Sequence, residues 1–193
     1  MPLPLHIFED RYREMMGEVI ESEGEFGVVL AKEDGIVNIG CSATVLKVIR
    51  RYPDGRLDLL AAGQRRFRIE SLDQEKAYLR ATVEFFDDED VSPVPGDLRE
   101  KAESAYRALR SENGGTAEDK KPESVSRLSF FMAQFISDLD KRQTILSLRS
   151  EVERLEYLVR IIPGYIEQQR YIALAKRVGP QNGHAKHVTG AGS

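Results

Sequence analysis

The chain has 193 residues, with 28 basic against 32 acidic side chains for a net charge of −4, and 41% of its residues are hydrophobic. That length holds one medium domain or two small ones and can bury a real core. The balanced charge names no nucleic-acid or membrane partner. No apolar run approaches the roughly 18 residues of a membrane span, and the N-terminus lacks the basic-then-apolar pattern of a signal peptide.

The first half reads as β structure with one helical stretch at its start. In residues 6–22, HIFEDRYREMMGEVIES, the positions Phe8, Tyr12, Met15/Met16 and Val19 recur at helical spacing and predict a helix. Residues 25–35, EFGVVLAKEDG, form a short apolar run closed by an Asp-Gly turn signal. Two β-rich runs then flank Tyr52-Pro53-Asp54-Gly55, where proline presets the turn and glycine accepts positive φ. The first of these runs is apolar on both alternating sets, Val45/Ile49 and Leu46/Val48, which predicts a strand buried on two faces. It also holds Cys41, the single cysteine, which reads as a buried inert thiol and suits a reducing cytoplasm. RRFRIESL alternates, with Phe67 and Ile69 on one side and Arg66, Arg68 and Glu70 on the other. Residues 77–86, AYLRATVEFF, predict a further strand, and the series suggests a small barrel or sandwich.

At residues 86–97, FDDEDVSPVPGD, an acidic run with two prolines reads as a solvated linker, and helices follow. The first opens on an Asp97-x-x-Glu100 cap-like pair and stops at Gly114-Gly115. A broadly apolar helix is predicted over 122–138. Another begins at the Ser150-x-x-Glu153 capping box, with Leu155, Leu158, Val159 and Ile162 as its stripe. A separate amphipathic helix is predicted over 165–178. The expected organisation is therefore a β-rich unit over 1–90, a helical bundle over 91–178 and a disordered tail over 179–193.

Three stretches together resemble one family, the N-terminal substrate-binding domain of Lon proteases. They are PLPLHIFEDRYREMM (2–16), IGCSATVLKVIRRYPDGRLDLLAAGQRRFRI (39–69) and KRQTILSLRSEVERLEYL (141–158). The first carries the Pro-Leu-x-Ile-Phe-Glu-x-Arg-Tyr pattern on Phe8, Glu9, Arg11 and Tyr12. The second carries Gly40 and then a Gly-x-x-Arg-Phe-x-Ile strand on Gly63, Arg66, Phe67 and Ile69. The third carries Gln143, Arg154 and Leu155. The similarity covers roughly residues 2–175, and the ordered set is more specific than any one motif.

The resemblance implies an α+β fold, a PUA-like β-barrel or pseudo-barrel half followed by an α-helical bundle, and polypeptide recognition rather than chemistry. It implies that Phe67 and Ile69 pack inward and that Arg66 is a structural partner for sheet-edge carbonyls or a carboxylate; a nucleic-acid role for Arg65, Arg66 and Arg68 is the competing reading. No Gly-x4-Gly-Lys-[Ser/Thr] phosphate loop occurs in the 193 residues, so the similarity is to a stand-alone form without ATPase or peptidase modules. The family pattern also places an apolar strand ending in Phe-Pro-Gly before the segment matching Met1–Glu9. Either the start is assigned too late or a strand is missing, which would leave a sheet edge unpaired; the late start is the expectation.

Other candidates weigh less. His184-x-x-His187 is a lone pair of metal-ligand types in the tail, without fixed geometry. His6 reads as a packed, hydrogen-bonded core histidine. The run Asp87–Asp90 lacks the ligand spacing and turn glycine of a calcium loop. No Gly-x-Ser-x-Gly elbow is present to support Ser/His/Asp catalysis. Residues 41–80 hold nine basic and five acidic side chains and residues 84–123 six and twelve, an asymmetry that could steer an acidic partner or balance within the domain. A polypeptide binder needs wet apolar side chains, and Tyr52, Phe85 and Phe86 are the candidates. The expectation is a non-enzymatic protein without metal or cofactor, and without a membrane. It would bind unfolded or degron-bearing polypeptides in a groove between sheet and bundle, as adaptor or holdase, with a protease or chaperone as further partner. The alternative is RNA binding on PUA-like topology.

Overall fold

The turn at Tyr52–Arg56 sets the register of the two longest strands. Tyr52 and Arg56 exchange a backbone bond (Tyr52 N–H to Arg56 O, 2.9 Å), and Gly55 adopts φ +88°, a conformation open to glycine at no steric cost. A Cβ there would also lie 2.7 Å from the Arg13 guanidinium, which donates to the Asp54 carbonyl. The computed structural model describes residues 2–112 and 127–178. The predicted helix stop at Gly114-Gly115, the start of the 122–138 helix, the tail and His184/His187 lie outside the described residues.

From that turn grow β3 (Gly35–Arg51) and β4 (Leu57–Asp73), joined by β1 (Leu3–Ile7), β2 (Glu25–Lys32) and β5 (Arg80–Phe86) into a five-stranded antiparallel sheet. The order is β1-β4-β3-β2, with β5 on the far part of β4. Helix α1 spans Asp10–Glu21. It plugs one face of the sheet with Met16, which packs into a core of Ile7, Phe26, Ala43, Leu57, Leu59 and Ala61. The remaining helices are α2 (Gly96–Glu112), α3 (Leu128–Ala133), α4 (Leu139–Ser147) and α5 (Glu151–Val178). The α+β class expected from the sequence is the observed one.

The chain divides into two compact units, Met1–Val91 with Ile136–Ser150, and Ser92–Phe135 with Glu151–Ser193. Residues 136–150 therefore leave the helical region assigned over 91–178 and return to the sheet. Two side-chain contacts and a backbone bond fasten them there. Gln143 Nε2 on α4 donates to the Ile39 carbonyl at 3.0 Å, Lys32 pairs with Asp140 at 2.7 Å, and the Glu89 N–H donates to the Arg149 carbonyl at 2.9 Å. Asp138 caps the start of α4, its side chain accepting from the Lys141 N–H at 3.0 Å.

In the helical unit α2 presents Leu98, Ala102, Tyr106 and Leu109 as one buried stripe against α5, which answers with Leu155, Leu158 and Ile162. Each large apolar side chain so buried contributes about 1.5–3 kcal/mol. Where two helices were expected, α5 is a single helix that runs through Pro163. Proline removes one intrahelical bond, but Ile162 on one side and Tyr165 and Ile166 on the other are all buried, so packing holds both halves in line.

Two further expectations fail near the N-terminus. Residues 3–7 form a strand on β4, and the helix starts at Asp10, not at residue 6. Phe8 and Tyr12 are exposed at 60% and 37%, so the helical stripe reduces to Met16 with the half-buried Met15, Val19 and Ile20. His6 is an exposed edge-strand residue and not a core histidine.

Candidate functional site

In a regular strand Leu46 and Val48 would face one way and Val45, Lys47 and Ile49 the other. The β3–β4 ladder breaks this rule twice. Val45 lies opposite Ala61, Lys47 opposite Leu60, Val48 opposite Leu59 and Arg50 opposite Asp58. One residue of β4 is thus met by two of β3 at each of two bulges, with Leu46 and Ile49 as the extra residues. The consequence is a phase shift. Val45 and Val48, three residues apart, both pack on the core, while Leu46 and Ile49 are 57% and 56% exposed. The strand expected to be buried on two faces is buried on one, and its other face carries Leu46, Lys47, Ile49 and Arg50, all exposed.

Neighbouring strands extend that face. Register places His6 of β1 beside Asp58 of β4, which lies beside Arg50 of β3. Asp58 accepts from two sides, with His6 Nδ1 at 2.5 Å from one carboxylate oxygen and the Tyr52 hydroxyl at 2.7 Å from the other. These bonds, that from His6 foremost, hold the Asp58 carboxyl below the usual carboxylate range. The hydrogen bond to Asp58 in turn raises the Tyr52 phenol. The guanidinium groups of Arg50 and Arg56 lie over the Tyr52 ring, 4.5 and 4.9 Å from its centroid. Phe8 stacks on the His6 ring at 5.9 Å.

The far part of β4 is built differently. Arg66, on the face opposite Phe67, is 6% exposed. It donates to the Leu146 and Leu148 carbonyls at 3.2 and 2.7 Å and to Asp88 at 2.6 Å. Asp88 is only 12% exposed, and Glu89 pairs with Arg149 at 2.6 Å, so the acidic run read as a solvated linker is largely engaged. Arg65 pairs with Glu25 at 3.4 Å and Arg68 with its cross-strand neighbour Glu84 at 3.6 Å. The Phe67 ring is buried across two glycines. A Cβ on Gly40 would lie 2.6 Å from Phe67 Cζ and 2.7 Å from the Val28 carbonyl oxygen, so the strand tolerates only glycine there. Gly63 faces Cys41 Sγ and Ile69 is half-buried opposite Val83. Cys41 is half-buried, and burial pushes its thiol up, away from reactivity.

The three residues named as wet apolar candidates fall apart. Phe85 is 41% exposed with the Arg65 guanidinium 3.6 Å from its centroid. Phe86 is half-buried between the guanidinium groups of Arg66 and Arg149, at 4.9 and 5.1 Å. Tyr52 adjoins Leu57, whereas Phe85 pairs with Phe67, about ten residues and up to ~33 Å further along β4. Of the N-terminal signature positions, Glu9 precedes α1 and accepts from Arg11 Nε at 2.9 Å, and Arg11 lies over the Tyr12 ring. In the helical unit Arg154 is fully buried beside Leu155. It donates to Ser129 Oγ and Glu151 at 2.9 Å each, and Glu151 also accepts from the Ser129 N–H and hydroxyl.

Sequence reasoning missed Leu46, Lys47, Ile49 and Arg50. Their signal was the loss of period two in Val45–Arg51, which also fits a strand buried on both faces. Among the described residues no group of three or more His, Cys, Asp and Glu side chains could hold a metal ion, and no helix is long and apolar enough to cross a membrane.

A model of the family described as the ATP-dependent protease La (LON) substrate-binding domain matches residues 1–163. The chain is 26% identical over 177 residues to a Lon protease of Cytophaga hutchinsonii; the match covers 83% of this chain and spans 22% of that protein's length. Two solved structures share the fold. One is a Lon N-terminal domain protein from Xanthomonas campestris (TM-score 0.64, 19% identity, covering 83% of this chain and 89% of that one). The other is the N-terminal domain of a Mycobacterium avium complex Lon protease (TM-score 0.62, 18% identity, covering 84% and 90%).

Proposed function

Because the chain belongs to the Lon substrate-binding domain family, we propose that it recognises polypeptide. It would hold unfolded or degron-bearing chains as an adaptor or holdase, without catalysis of its own, and would work with a protease or chaperone in the cytoplasm. The observation that carries this reading is the face described above, where Leu46 and Ile49 of β3 are 57% and 56% exposed and Phe8, 60% exposed, stacks on His6 of β1. Apolar area of that kind gains roughly 25 cal/mol per Å² when a partner covers it. β1 stands at the end of the sheet order, so its outer edge offers backbone groups to an added strand.

The test is a fluorescence-anisotropy titration of the purified chain with a labelled unfolded polypeptide, beside a labelled RNA oligomer, at two salt concentrations. Saturable, salt-tolerant polypeptide binding without RNA binding is expected. Salt-sensitive RNA binding alone would overturn the reading, because phosphate contacts release counterions and weaken steeply with salt.

A further inference from the structure

We propose that the doubly bulged face of β3 selects extended polypeptide segments that carry acidic residues among apolar ones, an inference that rests on the polypeptide-binding reading above. The bulges are its origin. In an unbulged strand the outward set alternates with the core-facing set, and a basic residue on the outer face has no apolar neighbour on the same face and step. Here each bulge turns two consecutive residues outward against one residue of β4. The face therefore presents an apolar–basic doublet, Leu46 with Lys47, and then a second, Ile49 with Arg50. The doublets lie opposite Leu60 and Asp58, two residues apart on β4, or roughly 7 Å. That is also the repeat between side chains on one face of an extended chain.

The charge on this hairpin is not spent internally. Between residues 45 and 60 the basic side chains are Lys47, Arg50, Arg51 and Arg56, and the acidic ones are Asp54 and Asp58. Arg56 pairs with Asp54 at 2.8 Å. Asp58 is taken by His6 and Tyr52, with Arg50 acting on it through space. Lys47 and Arg51 form no ion pair among the described residues. The acidic run at 87–90 does not supply the missing carboxylates: Asp88 is held by Arg66, Glu89 by Arg149, Asp90 lies at the Ser150 bridge, and among the described residues Asp87 forms no ion pair with Lys47, Arg50 or Arg51. An acidic group from outside the chain complements the face, and the apolar half of each doublet requires that it come with aliphatic or aromatic neighbours. A nucleic acid fits less well. Bases stack on open aromatic faces, and here the Tyr52 ring is overlaid by the Arg50 and Arg56 guanidinium groups while the Phe8 ring stacks on His6.

The experiment uses the full chain and three labelled unstructured peptides with identical apolar residues, in which the polar positions are all Glu, all Gln or all Lys. Affinities are read by anisotropy at low salt and at about 1 M, where the screening length falls to about 3 Å. The Glu peptide should bind about tenfold more tightly than the Gln peptide at low salt, as two or three exposed charge contacts allow, with the Lys peptide weakest. The Glu advantage should vanish at high salt while the Gln peptide is little affected. The Lys47→Gln/Arg50→Gln double variant, checked as folded by circular dichroism, should bind Glu and Gln peptides alike at the wild-type Gln affinity. Equal binding of all three peptides to the wild-type chain would overturn the acidic preference and leave polypeptide recognition standing. Failure of every peptide to bind would remove the polypeptide reading itself. Displacement of the Glu peptide by RNA, or self-association that the double variant abolishes, would assign the face to a nucleic acid or to a second copy and overturn the proposal.

Discussion

The two ends of the β3–β4 ladder use arginine in opposite ways. At the far end Arg66 is buried, and its donors meet two backbone carbonyls and a carboxylate that the fold brings to it. At the near end Arg50 is exposed over an aromatic ring, and Lys47 and Arg51 beside it pair with nothing among the described residues. The first arrangement turns a charge into a fastener for residues 136–150. The second leaves charge and apolar surface together on the outside, which no folding argument requires. A cationic cluster in a sequence is therefore uninformative until its partners are known; the contrast between satisfied and unsatisfied cations is what separates architecture from recognition.

Arg66→Ala breaks this contrast most severely. It leaves Asp88 nearly buried without its cation and strips donors from two carbonyls, so a loss of about 3–5 kcal/mol is expected, read as the shift in urea midpoint. Gly40→Ala attacks the same end through sterics alone. With backbone and an aromatic ring inside 3 Å of the new methyl, it should cost about 1–3 kcal/mol by thermal unfolding. At the near end the effects on folding are smaller. The lowered Asp58 carboxyl contributes stability that is complete above the ordinary carboxylate range, near pH 4, and is lost as pH falls through the depressed native value. Asp58→Asn removes that contribution, so the stability gap between wild type and variant should be widest near neutrality and close on acidification, as measured by urea unfolding across pH. Leu46→Ser with Ile49→Ser should shift stability by no more than about 0.5 kcal/mol per site, because both side chains already stand in water.

Much of the sheet was legible in the sequence. The turn at Tyr52–Gly55 and the runs on either side of it follow from local chemistry, and so does the stripe of α5 at Leu155, Leu158 and Ile162. What local pattern could not carry were features set by distant partners. The strand at residues 3–7 exists because β4 pairs with it, and its residues also suit the start of a helix. Asp88 looked like one of four solvated acids because Arg66, its partner, is 22 residues away. The return of 136–150 to the sheet depends on Gln143 reaching Ile39 across 104 residues. The bulges are the hardest case: an apolar run without alternation fits a doubly buried strand and a phase-shifted one equally. The run therefore predicts core positions for Leu46 and Ile49, and only Val45 and Val48 take them. Alternation, by contrast, divides the adjacent aromatic candidates between two faces, with Phe86 covered by two guanidinium groups and Phe85 left wet beside Arg65.

The most direct test of the account is the affinity of an unfolded polypeptide for the wild-type chain and for the Leu46→Ser/Ile49→Ser variant at equal folded concentration. The account predicts that the variant keeps its unfolding midpoint and loses about tenfold or more in affinity, as removal of two apolar contacts of about 1 kcal/mol each implies. Unchanged affinity in a variant that folds normally would contradict it and move the binding surface away from the bulged face of β3.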